Sequence, residues 1–145
     1  MPFVRQAGAA AILIVLTLSF QCAGMATLIH LAKTQFQRDI SRLSALRSAV
    51  LVARFTSMIV VLHLMQILLW AAFYRWYCFP SWESAFYFST TSYSTVGYGD
   101  VVLPPIWRTL GPTESLTGVL MCGLSASFLF AVVTRLVQRR ELSPS

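Results

Sequence analysis

Six consecutive residues, Thr95-Val96-Gly97-Tyr98-Gly99-Asp100, carry the pattern with the most definite chemistry in this chain of 145 residues. A potassium ion that sheds its water must be offered several oxygens at close range, and a strand whose backbone carbonyls all turn to one side can offer them. For the carbonyls of Thr95, Val96, Gly97 and Tyr98 to do so, the dihedrals must alternate and some must be left-handed. Gly97 and Gly99 take up such dihedrals without a Cβ penalty. The side chains then point away from the ion axis. The Thr95 hydroxyl adds a further oxygen, and Asp100 either concentrates cations at the mouth or braces the strand by a hydrogen bond. One strand cannot ring an ion. Four are needed around a single axis, and the sequence holds no second copy of the motif, so a homotetramer of closed cyclic symmetry is implied.

Such a strand has to be held at membrane depth, and the composition provides for it. With 57% hydrophobic and only 11% charged residues, the chain lies far from the roughly 25% charge of soluble domains. Three long apolar runs stand out, between Arg5 and Lys33, between Arg54 and Arg75, and between Glu114 and Arg135. Each is long enough to span, since about 20 apolar residues cross the hydrocarbon core. The stretch from Trp82 to Thr95 is aromatic but too short and too rich in Ser and Thr, which predicts a re-entrant helix. The fold expected is an all-α membrane protein of three transmembrane helices, a re-entrant pore helix and a selectivity filter. Its parts are an N-terminal helix over 1–32, a basic amphipathic segment over 33–50, a pore domain over 51–138 and a short tail over 139–145. Within the pore domain the outer helix is expected at 51–78, the pore helix at 81–94, the filter at 95–100 and the inner helix at 112–138.

The net charge of +6 predicts topology rather than nucleic-acid binding, because no reading motif accompanies the basic residues. Lys33, Arg38, Arg42 and Arg47 fill the first connection, and Arg135, Arg139 and Arg140 lie near the end of the sequence. By the positive-inside rule both regions face the cytoplasm, and the N-terminus and filter mouth face outward across a cell inner membrane. The run Ala9 to Phe20 with Ala23, Gly24 and Ala26 also has the look of a signal peptide. Removing it would invert the filter, so a retained helix is expected. In the connection, Phe36, Ile40, Leu43 and Leu46 recur at helical spacing among the charges, which predicts a helix lying at the interface among membrane lipids.

Pro80-Ser81-Trp82-Glu83 reads as a helix start, with Ser81 as cap and Glu83 in the first turn. The far end of that helix then aims its carbonyls, and their partial negative charge, at the membrane centre below the filter. In the second span His63 and Gln66 are three apart and so share a face. The plain expectation is hydrogen bonding to Thr17, Ser19 or Gln21 of the first helix; the sharper alternative makes the pair a proton sensor. Cys22, Cys78 and Cys122 are too few and too scattered for a disulfide framework and are expected to be buried small hydrophobes, with Cys78 the one candidate for pairing between subunits. Gly118 and Gly123 in the third span are either close-packing positions or hinges.

From Phe55 to Val137 the sequence resembles the pore module of tetrameric potassium channels: outer helix, aromatic pore helix, Thr-Val-Gly-Tyr-Gly-Asp and a glycine-containing inner helix. The extra N-terminal helix, the Val102-Leu103-Pro104-Pro105 turn and the Gly111-Pro112-Thr113-Glu114 start of the inner helix resemble small bacterial, two-pore-domain-like ion-channel proteins. The resemblance implies an aromatic cuff around the filter from Tyr87 and Phe88, Ser94 and Thr95 at its base, a hinge at Gly123, and potassium ions bound in the filter with no other cofactor. Two departures stand out. Some potassium channels have a Glu four residues before the filter Thr to brace the mouth Asp, where this chain has Thr91. An acid often follows the outer-helix His by three positions in the bacterial relatives, where this chain has Gln66.

The function expected is passive potassium conduction. The alternatives are a weakly selective cation channel, if the filter lacks braces, and a non-conducting regulatory or sensor subunit that keeps the pore fold. Neither of the first two spans carries the repeated Arg of a voltage sensor, and no sensor domain is expected after Val137. An enzyme is not expected, because His30 and His63 have no nucleophile or metal-ligand partner at a recognisable spacing.

Overall fold

The computed structural model describes residues 2–37 and 45–141. It is all helical: α1 (Pro2–Gln37), α2 (Ala45–Tyr77), α3 (Trp82–Tyr93) and α4 (Leu110–Glu141), with a single 3₁₀ turn at Pro105–Trp107. The three long helices carry apolar spans of 34, 32 and 34 residues. At 1.5 Å per residue each is about 50 Å long, so each outruns a hydrocarbon core of roughly 30 Å and must tilt or project beyond it. The chain is therefore a multi-pass membrane protein with an all-α fold.

The long helices explain why the expected interfacial segment has no flanks of its own. Lys33 to Gln37 extend α1, and Ala45 to Val50 form the opening turns of α2. Ala, Leu and Arg are strong helix formers and no Gly or Pro interrupts them, so the helices continue past the apolar boundary. The core of that segment, including Ile40 and Leu43, lies outside the described residues. At the other end of α2, the N–H groups of Cys78 and Phe79 both return to the Tyr74 carbonyl, and Pro80 ends the helix.

Helix α3 then starts where the sequence placed it. Ser81 is its N-cap, its hydroxyl accepting from the Ser84 N–H at 3.1 Å, and Glu83 stands in the first turn. The helix is wedged between α2 and α4, while α1 packs along both of those and reaches the 3₁₀ turn.

Packing divides the bundle by height. Near the 3₁₀ turn, Leu13, Trp70, Tyr74, Ala85, Phe88, Leu103, Trp107 and Leu110 form one cluster. At the opposite end Leu28, Ala32, Phe36, Phe55, Ile59 and Val132 form another. The middle is different: beside Ile67, Tyr93 and Met121 it buries Thr17, Gln21, Gln66, Ser89, Glu114, Thr117 and Ser125. Apolar residues such as Val60, Val61, Leu64 and Phe130 face outward instead. Such an arrangement suits a chain whose solvent is lipid, where polar groups must find partners inside the protein. Cys22 and Cys122 also lie on the exposed surface of the chain and Cys78 is half-buried, all three with free thiols. The expectation of buried cysteines fails because the polar side chains take the inward face of the middle layer.

Candidate functional site

The segment after α3 has the alternating backbone that a carbonyl-lined strand requires. Its φ is +52° at Gly97 and +77° at Gly99, and Thr95 joins them at +64°. Thr95 is the one non-glycine residue with positive φ among the described residues. A β-branched residue there costs of order 1–3 kcal/mol, so its surroundings must hold it in place.

That holding is done by the end of α3. The Ser94 N–H donates to the Thr90 carbonyl at 3.1 Å, the Thr95 N–H to Ser92 at 3.0 Å and the Gly97 N–H to Thr91 at 3.1 Å. The last-turn carbonyls of α3 are thus taken up largely by the following strand, not left unpaired toward the membrane centre as the sequence suggested. The Ser115 hydroxyl of α4 adds a fourth bond, donating to Ser92 O at 2.7 Å. Thr91 contributes through its backbone, since its hydroxyl bonds Phe88 O within its own helix, and Ser94 likewise bonds Thr90 O.

At the far end of the strand, the Tyr87 hydroxyl donates to Asp100 Oδ2 at 2.8 Å, and Asp100 Oδ1 accepts from the Val101 N–H at 3.0 Å. The phenol and then the backbone donors hold the Asp100 carboxyl below its ordinary range, against some desolvation. In turn the acid keeps the Tyr87 phenol above its own ordinary range. A phenol one turn earlier on α3 therefore braces Asp100 where Thr91 does not. Phe88 lines the space behind the strand together with Thr95, Gly97 and Gly99. It turns into the core, edge-on to Tyr74 at 5.0 Å and beside Phe79 at 5.6 Å.

Behind α3 lies a polar layer that links all four helices. Gln66 Nε2 of α2 donates to Gln21 Oε1 of α1 at 2.8 Å, and Gln21 Nε2 reaches across to Ser125 Oγ at 3.1 Å and Met121 O at 3.3 Å on α4. Gln66 Oε1 accepts a short hydrogen bond from the Tyr93 hydroxyl, which also lies 2.8 Å from His63 Nδ1. Gln66 thus does bond the first helix. His63 bonds α3 instead, because its position lies on the α3 side of the shared face. Thr17 receives the Trp70 indole N–H at 2.9 Å.

Glu114 went unrecognised as more than the edge of an apolar run. It is fully buried, with Tyr74 donating to its Oε2 at 2.8 Å and Ser89 Oγ 2.5 Å from its Oε1. Ser89 Oγ is also 2.9 Å from Ile67 O. One hydroxyl has one proton and here faces two acceptors, so both contacts are hydrogen bonds only when Glu114 brings its own proton. The signal available in the sequence was a lone acid inside an apolar span, which is by default a site of interest.

The two inner-helix glycines differ in surroundings. A Cβ on Gly118 would sit 2.2 Å from the Tyr93 carbonyl oxygen, whereas one on Gly123 would meet nothing within 4 Å. Gly118 is the point where α4 lies against the end of α3.

A family profile described as "Ion channel" matches residues 51–135, more than half of the chain. The chain belongs to this ion channel family. The match covers most of α2, all of α3 and the strand that follows it, and most of α4, so the braced strand lies within the region that defines the channel. Helix α1, with Thr17 and Gln21, lies outside it. No curated protein and no solved structure was found to match. Ion conduction is thus the activity that the described geometry has to serve.

Proposed function

We propose that this channel is a passive, potassium-selective one, formed by four copies around an axis faced by the carbonyls of Thr95, Val96, Gly97 and Tyr98. The single observation that carries this reading is the alternation of positive φ at Thr95, Gly97 and Gly99, anchored by backbone bonds to the end of α3. Such a backbone offers neutral oxygens at regular spacing, and these replace a hydration shell without binding the ion too tightly to release it. Asp100 adds negative potential at the mouth. The Tyr87 brace supports strict selectivity over the weakly selective alternative, because the mouth acid has a fixed partner.

The basic connection between α1 and α2 and the basic end of α4 support an orientation with the C-terminus in the cytoplasm, the N-terminus outside, and the mouth outward across the inner membrane. Reversal potentials of purified protein in liposomes, under opposed potassium and sodium gradients, test the reading. The expected value lies near the potassium potential. A value shifted toward sodium removes the selectivity, and absence of barium-sensitive flux under any pH or voltage points to the non-conducting subunit.

A further inference from the structure

At the end of the bundle far from the filter, α1 and α4 separate to leave a groove of about 300 Å³. Its walls are apolar, built from Ile29 and Ala32 of α1 and Phe128 and Val132 of α4, and its rim carries Lys33 and Arg135. Both cations are exposed. The Arg135 guanidinium lies over the Phe36 ring, 5.8 Å from its centroid, which fixes it beside the groove. Neither cation has an acidic partner among the described residues.

Height decides what kind of occupant this suits. The apolar spans of α1 and α4 end at Phe36 and Gln138, so Lys33 and Arg135 lie within the last turn of each, where long basic side chains reach lipid headgroups. Below them, toward the membrane centre, the walls hold no polar side chain. A fitting ligand therefore has an anionic head and an apolar tail.

A second copy of this chain would not supply that charge. The acids Glu83, Asp100 and Glu114 belong to the filter end, while this end adds Arg47 and Arg54. In sequence, Asp39 follows Arg38, and Glu141 follows Arg139 and Arg140. Packing copies together here accumulates positive charge, whereas an anionic lipid cancels it.

We propose that the groove binds one anionic phospholipid, its headgroup phosphate held between Lys33 and Arg135 and an acyl chain laid along Ile29, Ala32, Phe128 and Val132. Basic pockets between spanning helices take lipid phosphates in this manner. The lipid would fasten the far end of α1, which lies largely outside the channel-forming region, to the far end of α4. Nothing in this assignment depends on which ion is conducted.

The test uses the full chain purified in detergent and titrated with phosphatidylglycerol or phosphatidylcholine of matched acyl chains, with bound lipid counted by native mass spectrometry. Phosphatidylglycerol is expected to bind in preference. Lys33→Gln and Arg135→Gln should each weaken it about fivefold, and the pair about thirtyfold, at about 1 kcal/mol per basic residue. Ala131→Trp, placed in the groove lining, should weaken it without any change of charge, and Arg47→Gln should leave it unaltered. The assignment is overturned if the double variant binds phosphatidylglycerol like the parent chain, or if Arg47→Gln matches its loss. It is equally overturned if glycerol phosphate, which has no tail, displaces the lipid, or if Ala131→Cys crosslinks two copies through the groove.

Discussion

Replacing Gly118 by alanine places a methyl group against backbone, and the structure shows how far something must move. The new Cβ would lie 2.2 Å from the Tyr93 carbonyl oxygen and 3.1 Å from both Tyr93 C and Cγ. Ordinary contact needs about 1 Å more, and no side-chain rotamer can provide it because the nearest atom belongs to the main chain. The end of α3 must therefore back away from α4. That movement draws on the bonds that fix the strand after α3, namely Thr95 N–H to Ser92 O, Gly97 N–H to Thr91 O and Ser115 Oγ to Ser92 O. Overpacking of this kind costs typically 1–3 kcal/mol, offset by up to about 1 kcal/mol from alanine's better helix propensity. A net loss of about 1–2 kcal/mol is expected, together with a reversal potential displaced toward sodium. Gly123→Ala is the matched control: with open space around it, the same change should leave thermal stability in detergent unchanged or slightly raised, and selectivity intact. The reasoning is refuted if Gly118→Ala keeps parental melting temperature and selectivity, or if the two substitutions behave alike.

Further outcomes follow from the site. Gly97→Ala, whose Cβ meets no neighbour but whose φ is +52°, should abolish selective flux through roughly 1–2 kcal/mol of backbone strain alone, with membrane insertion retained on fractionation; unaltered selectivity would rule out the filter assignment. Tyr87→Phe removes the donor to Asp100 and should make potassium selectivity less durable during long recordings. Because the folded state holds Asp100 below its ordinary range, its bracing persists above that range and is lost only as pH falls through the lowered value, so selectivity of the parent chain should stay flat from pH 8 to 5, and a titration within that window would contradict the sign. Gln21→Leu should cost about 1–2 kcal/mol by stranding the Gln66 amide in a low-dielectric interior, and a double-mutant cycle with Gln66→Leu should return a coupling that additive losses would disprove.

What was legible in the sequence was whatever depends on local composition or on a contiguous motif. Three apolar spans, the Ser81 cap and the glycines of Thr95 to Gly99 all belong to that class, because each follows from neighbours within a few residues. Partners across the bundle do not. Gln21 and Ser125 are 104 positions apart, and nothing in their spacing says that they meet. The choice between packing and hinge at Gly118 and Gly123 likewise turns on the Tyr93 carbonyl, which no pattern in α4 reveals. Glu114 is ambiguous in sequence: an acid ordinarily marks the end of a span, whereas Tyr74 and Ser89 make it tolerable inside one. At the flanks of 33–50, amphipathic spacing cannot distinguish a separate surface helix from the prolongation of two long ones.

The polar layer also has a history during synthesis. Helix α1 leaves the ribosome before α2 and α4, with the Thr17 hydroxyl already bonded to Leu13 O in its own helix but the Gln21 amide without its partners on the later helices. Trp70 and Gln66 arrive with α2 and form the first hairpin, which keeps both amide N–H bonds of Gln21 in reserve until Ser125 and Met121 follow. Each later helix thus inserts against a surface already prepared to receive it, and a chain stalled before α4 would display an unsatisfied glutamine at membrane depth, a mark by which quality control could tell a half-made channel from a finished one.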